Sequence, residues 1–248
     1  MNCIIYDLET TCWKSNPNGR REREIIEIGA VKLNDQFSII DEFQQFVRPT
    51  INRHLTKFCI ELTSITQNDV KAAEPLEIVI RQFEAWIVNE GQDFQMISWG
   101  QFDKDQILKE CTLKRIETPM ESILQHHVNL KYVFAKKRKM KQFGMSTALK
   151  ILSITLEGSH HRGIDDARNT RAITLTDTDG GNETNCRYFA ETFWKAFGNN
   201  EFDNNHDGKV SVREAYDVAI KEHKSHWKKS MTLDIYNAPK SKSDVILY

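Results

Sequence analysis

The sequence has 248 residues with 40% hydrophobic and 28% charged residues, which is ordinary for a globular protein with one full domain and a smaller second unit. No apolar run approaches the roughly 18–20 residues of a membrane span, and the N-terminus lacks the basic flank and apolar core of a signal peptide. The net charge of −1 excludes a protein that binds nucleic acid over its whole surface, although a local basic groove stays compatible with it.

The five cysteines are odd in number, scattered along the chain, and never arranged as CxxC pairs. Neither a disulfide framework nor a zinc site is therefore indicated. A reducing, cytoplasmic location is the corresponding prediction.

Three segments near the N-terminus are typical of β-strands. Residues 3–8 are a compact apolar run that ends in acids, residues 25–33 are rich in β-branched and apolar side chains, and residues 37–47 follow after a short turn. Their order along the chain predicts a meander.

Helical spacing of apolar residues dominates from about residue 64 onward. The predicted elements are, in chain order, a short helix from Thr66, an amphipathic helix after Pro75, a strand over 96–99, and helices over 103–111, 145–152 and 165–175. This sequence of elements predicts an α/β fold, a mixed sheet flanked by helices.

The composition changes near residue 176, where a polar, glycine-containing stretch begins. We predict a main domain over residues 1–176, a linker over 177–185, and a small helical segment over 186–248.

Asp7 and Glu9 lie at the end of the first predicted strand. Residues two apart on a strand face the same side, so two carboxylates are presented together. They repel each other unless a cation lies between them, and oxygen-only ligands favour Mg²⁺ or Mn²⁺. Taken alone, such a pair is more typical of a solvated strand end.

Further acids occur where predicted strands or loops lead into helices. Asp103 follows the strand over 96–99, and His161 precedes Asp166 by five residues at the start of another helix. Each of these acids is also compatible with a helix cap. His160 competes with His161 as a candidate base, and Asp165 competes with Asp166 as a candidate ligand.

The set Asp7-x-Glu9, Asp103 and His161-x₄-Asp166 resembles the signature of the histidine-containing branch of the DEDD exonuclease superfamily. Six segments are similar to one RNA-directed subgroup, the enhanced-RNA-interference-type exonucleases and their bacterial relatives: residues 4–13, 27–31, 46–49, 58–63, 98–100 and 160–169. The resemblance covers about residues 2–176, and it implies a ribonuclease H-like fold.

The resemblance also implies a mechanism. Asp7, Glu9, Asp103 and Asp166 would hold two Mg²⁺ ions, with Mn²⁺ as a substitute, and His161 would be the general base. The implied substrates are 3′ ends of RNA or single-stranded nucleic acid, with no small organic cofactor and no membrane partner. The expected contacts to the terminal nucleotide come from five residues: Leu8, Glu9, Thr10, Trp13 and Phe102.

A second pattern lies near the C-terminus, where residues 203–214 fit the twelve-residue EF-hand calcium loop. A polar loop between two helices is the alternative interpretation. The candidate Ca²⁺ ligands are Asp203, Asn205, Asp207, Lys209 through its carbonyl, Ser211 and Glu214, with Gly208 at the position of the sharp turn.

Three functional hypotheses follow. The first is a 3′→5′ exonuclease that hydrolyses RNA or single-stranded nucleic acid. The second is a DNA-directed proofreading or repair exonuclease with the same metal site. The third is a catalytically weak module that binds nucleic acid or Ca²⁺.

Overall fold

The computed structural model describes residues 2–15, 21–34, 37–88, 94–176, 193, 195–196, 199–204, 206, 208, 210, 214–219 and 221. Its centre is a six-stranded mixed sheet with the strand order β4-β3-β2-β1-β5-β6. Among the described residues, no helix is long and apolar enough to span a membrane.

Three long strands form the predicted meander. They are β1 (Asn2–Thr10), β2 (Ile25–Leu33) and β3 (Ile39–Arg48), each antiparallel to the next. Every residue of β2 is buried, which explains the apolar and β-branched character of this strand. In the β1–β2 register, Asp7 lies opposite Gly29, and Glu9 lies opposite Glu27.

The remaining strands extend the sheet at both edges. Strand β5 (Phe94–Ser98) runs parallel to β1, and the two-residue strands β6 (Val128–Asn129) and β4 (Glu74–Pro75) complete the edges. The parallel pairing of β1 and β5 brings the carboxyl ends of both strands to the same edge, which is where ligand sites form in α/β sheets.

Between residues 2 and 176, the described part of the chain contains eight α-helices that flank the sheet. They are α1 (Lys57–Thr63), α2 (Gln67–Ala72), α3 (Leu76–Val88), α4 (Phe102–Lys114), α5 (Met120–Ile123), α6 (Leu130–Lys137), α7 (Met145–Ile151) and α8 (Gly163–Thr176). Thr66 begins α2 through a capping box with Asp69, as expected for a helix start at this threonine.

Alternation along β1 divides the core in two. Ile4 and Tyr6 pack against the apolar faces of α3 and α4, whereas Cys3 and Ile5 face the cluster built by α6, α7 and α8. The α/β fold with a mixed sheet flanked by helices, predicted from the sequence, is confirmed.

Three helices, α1, α5 and α6, were not anticipated from the sequence. They are only 7, 4 and 8 residues long, so too few turns are present for an apolar periodicity to stand out.

The C-terminal part is described at fewer positions. Residues 214–219 are helical, within the predicted helix of the small C-terminal segment. Phe193, Ala196 and Val210 belong to the same hydrophobic cluster as Ile173 of α8. The predicted linker over 177–185 lies outside the described residues.

A close contact between a helix and the sheet lies at Gly29 of β2. A Cβ atom there would overlap the backbone of Gly163 and Ile164 at the start of α8. In the other direction, a Cβ atom on Gly163 would lie 3.1 Å from the carbonyl oxygen of Asp7. The absence of side chains at both positions therefore fixes how closely α8 approaches the acids of β1.

We predict that Gly29→Ala destabilises the fold by about 1–3 kcal/mol or more, because the added methyl has to displace backbone rather than a flexible side chain. Urea unfolding followed by circular dichroism measures the change. The matched control is Gly144→Ala, where the added Cβ meets nothing within 4 Å, and its effect should stay within about 1 kcal/mol. Similar effects of the two substitutions would contradict the prediction.

Candidate active site

Four carboxylates from three elements converge at the end of β1. Asp7 and Glu9 lie on β1, while Asp103 and Asp166 occupy the first turns of α4 and α8. Glu9, Asp103 and Asp166 are buried, and Asp7 is half-buried. The four acids expected from the sequence are therefore brought together.

Three members of this acid cluster, which we define as Asp7, Glu9, Asp103 and Asp166, lie close to one another. Ligand atoms of Asp7, Glu9 and Asp166 all lie within 4.8 Å of one another. Asp103 approaches from α4, and its Oδ1 accepts a hydrogen bond from the Leu8 backbone N–H at 3.3 Å.

Burial and mutual repulsion dominate the electrostatics of the acid cluster. Burial, together with the charges of Asp103, Glu9 and Asp166, raises the pKa of Asp7 well above its usual range. Burial, followed by the charge of Asp166, raises the pKa of Glu9 to about 9. Burial also raises the pKa of Asp103, to about 6, although hydrogen bonds from Ser98 and the Leu8 amide oppose this shift. The cluster is thus poorly stabilised as a set of anions without a cation.

The donor set of the acid cluster fits a hard divalent cation. Only carboxylate oxygens are offered at its centre, which is the preference of Mg²⁺ and Mn²⁺ rather than zinc. A bound divalent ion would also remove the repulsion that raises the carboxyl pKa values. Among the described residues, both groups of acids and histidines close enough to hold a metal ion include Asp166.

Both candidate histidines lie beside Asp166. The imidazole of His160 contacts both oxygens of the Asp166 carboxylate through Nδ1, at 3.1 and 3.2 Å, and the backbone N–H of His161 donates to Oδ2 at 3.1 Å. The two imidazole rings are stacked, with centroids 4.0 Å apart. His161 has a φ of 66°, a left-handed conformation that non-glycine residues rarely adopt. Burial and the neighbouring His160 lower the pKa of His161, which favours a neutral ring able to accept a proton.

Asp165, the alternative to Asp166, has hydrogen-bond partners outside the acid cluster. Its Oδ2 accepts the Ser159 N–H at 2.9 Å, and its Oδ1 accepts from Arg168 at 3.1 Å. Gly158, with a φ of +69°, lies directly against this carboxylate. Asp165 therefore holds the loop that precedes α8 through a hydrogen bond to the backbone of Ser159.

Glu27 and Arg162 were missed as site residues. Glu27 is fully buried in β2 opposite Glu9, and both of its carboxylate oxygens accept hydrogen bonds from the Arg162 guanidinium, at 3.0 and 3.2 Å. The available signal was a single acid inside an otherwise apolar strand, because an ionised group there requires a partner. The identity of that partner, 135 positions away, cannot be read from local spacing.

The residues expected to contact substrate take different positions. The side chains of Leu8 and Thr10 are buried. Phe102 is 42% exposed beside Asp103, with the Arg23 guanidinium 5.4 Å from its ring centroid. Trp13 is half-buried, and Arg21 lies 5.5 Å from its ring centroid.

The C-terminal loop is described only in part. The Gly208 N–H donates to Asp203 at 2.8 Å, and the Asn204 N–H donates to Glu214 at 2.7 Å. The first and last acids of the predicted calcium loop thus both bond to the loop backbone. The other four candidate ligands lie outside the described residues: Asn205, Asp207, Lys209 and Ser211.

Residues 4–174 match the protein family described as Exonuclease, of the RNase T type. The chain therefore belongs to this exonuclease family. Membership of this exonuclease family agrees with the observed fold, a mixed sheet with a cluster of acids at the end of its first strand.

The chain is similar to "ERI1 exoribonuclease 2" of Homo sapiens, with 32% identity over 191 residues that cover 68% of this chain and 27% of the relative. It is 31% identical over 189 residues to "3'-5' exonuclease Snipper" of Drosophila melanogaster, covering 68% of this chain and 66% of that protein. The chain thus spans between about a quarter and two thirds of the length of these relatives.

Among solved structures, the chain resembles the nuclease domain of 3'hExo, which is described as a DEDDh family member bound to rAMP. The TM-score is 0.65 at 30% identity, over 69% of this chain and 88% of that one. The ribonuclease H-like exonuclease fold expected from the sequence is therefore confirmed.

We predict that Asp7→Asn raises the thermal unfolding midpoint of the protein in EDTA, because it removes one of the repelling carboxylates. The raised pKa values mean that the folded state holds protons that the unfolded state releases above about pH 4. Stability of the metal-free wild type should therefore fall as the pH rises from about 5 to 9, the pKa of Glu9, and Asp7→Asn should reduce this slope.

Differential scanning fluorimetry across this pH range measures the effect. Glu117→Gln, a change at an exposed acid, is the control and should leave the slope unchanged. Mg²⁺ should stabilise the wild type more than Asp7→Asn. A lower midpoint for Asp7→Asn in EDTA at pH 8 would show that the acid cluster is not repulsive.

Proposed function

We propose that the chain is a metal-dependent 3′→5′ exonuclease that removes nucleotides from the 3′ end of RNA or other single-stranded nucleic acid. The observation that carries this proposal is the convergence of Asp7, Glu9, Asp103 and Asp166 beside the paired histidines. Membership of the exonuclease family supports it, and so does the similarity to relatives that are named exoribonucleases.

The residues divide the chemistry between them. The acid cluster would hold two Mg²⁺ ions, which supply an activated water and stabilise the charge that develops on the departing 3′ oxygen. His161 takes the proton from the attacking water, as its lowered pKa leaves the imidazole neutral at neutral pH. Attack on the terminal phosphodiester breaks the bond between phosphorus and the 3′ oxygen and shortens the strand by one nucleotide.

Contacts to the terminal nucleotide complete the proposal. Glu9 accepts a hydrogen bond from a ribose hydroxyl, Leu8 and Thr10 flank the nucleotide, and Phe102 and Trp13 offer ring surfaces for stacking. The exposure of Phe102 beside Asp103 supports its role. RNA is favoured over DNA as the substrate because the similar structures include one described as bound to rAMP and one described as recognising a histone mRNA stem-loop. A DNA-directed proofreading or repair exonuclease and a catalytically weak binding module are the alternatives.

We also propose that the protein acts in the cytoplasm. The four cysteines in the described part of the chain, Cys3, Cys12, Cys59 and Cys111, are free thiols, which is compatible with a reducing compartment. The division into an exonuclease domain over 1–176, a linker and a C-terminal segment over 186–248 is part of the same proposal.

We predict that the protein shortens 5′-labelled single-stranded RNA from its 3′ end with Mg²⁺, and matched DNA more slowly. His161→Ala should lower the rate by about 10²–10⁴-fold because proton removal from the water is lost, whereas His160→Ala should lower it much less. Denaturing gels over time measure both rates. His54→Ala, a change at an exposed histidine, is the control.

No shortening of either strand with Mg²⁺ or Mn²⁺ would refute the exonuclease. A larger loss for His160→Ala than for His161→Ala would assign the base to His160, whose ring already contacts Asp166. Faster digestion of DNA would favour the proofreading or repair alternative.

We propose further that residues 203–214 bind Ca²⁺. The match of this loop to the EF-hand pattern supports the proposal, as does the approach of the Glu214 carboxylate to the Asn204 N–H, next to the first candidate ligand.

We predict that Glu214→Gln weakens Ca²⁺ binding at least about tenfold, since the last position of such a loop supplies two oxygens to the ion. Isothermal titration calorimetry is done in the Asp7→Asn background, so that binding at the acid cluster does not contribute. Glu201→Gln, just before the loop, is the control. Unchanged affinity for Glu214→Gln, or no Ca²⁺ binding at all, would reject this site.

A further inference from the structure

The carboxylate of Glu27 accepts hydrogen bonds from strand β3, from the turn before α8 and from the first residue of α8. It is fully buried in β2 and accepts two hydrogen bonds from Arg162, one from the Gly163 N–H at 3.0 Å and one from Gln44 of β3 at 2.7 Å. The planar guanidinium matches both carboxylate oxygens at once, which is the most directional ion pair that a protein can form.

This anchor lies immediately after the candidate base. His161 precedes Arg162, and its own N–H donates to Asp166. The Arg162 carbonyl accepts the Asp166 N–H at 2.8 Å, so the turn is closed on the side of the acid cluster as well. The left-handed backbone of His161 is thus held between a candidate metal ligand and Glu27.

We propose that Glu27 and Arg162 are a positioning pair that fixes the His161 imidazole beside the acid cluster. This inference rests on the proposed exonuclease function and on His161 as its base. Neither side chain is assigned contact with the scissile phosphate. Their effect on the reaction passes through the backbone of the histidine turn.

Glu24 provides the matched comparison. It is also fully buried, it accepts backbone hydrogen bonds from residues 50–52, and it pairs with Lys114 at 2.9 Å. Burial raises the pKa of this carboxyl, but these hydrogen bonds outweigh the burial and lower the pKa to about 2. Glu24 therefore anchors a different loop, because its partners, residues 50–52 and Lys114, lie outside the histidine turn.

The kinetic test compares Glu27→Gln and Glu24→Gln, each in the wild-type and His161→Ala backgrounds. An amide presents an acceptor on only one side, so one half of the Arg162 contact is lost. Glu27→Gln should lower kcat about 10–100-fold, because a shift of about 1 Å at a reacting group has an effect of this size. KM should change less than about threefold, since substrate contacts are retained.

The expected signature is non-additivity. In the His161→Ala background, residual rates are measured under single-turnover conditions. There, Glu27→Gln should lower the rate by a further factor of less than about three. Glu24→Gln should have the same factor in both backgrounds. Arg162→Gln removes the other partner of the ion pair, and the Arg162 side chain is partly exposed. This variant should show the same non-additive loss of kcat, so the test remains possible if Glu27→Gln folds poorly.

A second readout does not depend on activity. Amide hydrogen exchange at residues 160–163 should quicken at least about tenfold in Glu27→Gln and stay unchanged in Glu24→Gln, because only the former loses the anchor of this turn. If the wild type leaves RNA intact, the proposed function fails, while the exchange experiment still decides whether the pair orders the turn.

If Glu27→Gln lowers the rate by the same factor in the wild-type and His161→Ala backgrounds, Glu27 stabilises the fold without positioning His161. That result would overturn the positioning role. Unchanged exchange at residues 160–163 would overturn it too. Non-additive kinetics together with faster local exchange would establish it.

Discussion

Asp7, Glu9, Asp103 and Asp166 are held together although each of them makes the others harder to ionise. No local preference of the chain brings four acids into one buried place, so the repulsion has to be overcome by packing elsewhere. Strand β1 is a central strand that pairs with β2 and β5, and two of the acids, Asp7 and Glu9, lie near its carboxyl end. The other two lie in the first turns of α4 and α8, where the positive end of the helix dipole partly offsets their charge. The acid cluster thus carries an electrostatic repulsion that the packing of the surrounding elements has to offset.

Strand β2 carries the two contacts that make this arrangement possible. Gly29 allows the start of α8 to approach β1 more closely than any side chain would permit, and that approach sets the distance from Asp166 to Asp7. Two residues earlier, Glu27 holds the turn that leads into the same helix. The candidate metal ligands and the histidine turn are therefore aligned by one strand, β2, that supplies none of the four acids itself.

The sequence was informative where chemistry is local. Strand β2 was predicted over its observed range, and Asp7 and Glu9 could be placed on one face because alternation is a property of any strand. Helix α6 was not anticipated, since its eight residues are too few for the spacing of its buried Leu130 and Phe134 to stand out. The partners of Glu27 could not be foreseen either, because a bond over 135 positions depends on the fold rather than on spacing. Between the two histidines the spacing to Asp166 selected His161, by resemblance, whereas the side chain in contact with Asp166 is that of His160.

The C-terminal residues have a structural role whether or not their loop binds Ca²⁺. Helix α8 turns Asp166 toward the acid cluster, and on the way it buries Ile164, Ala167 and Ile173 in a cluster that also contains side chains from beyond residue 190. That C-terminal group consists of Phe193, Ala196, Val210, Ala215 and Ala219. Because burial of apolar surface stabilises in proportion to its area, these side chains contribute to holding the helix that carries the candidate ligand Asp166. The family match ends at residue 174, but the apolar face of α8 is completed by residues that follow it.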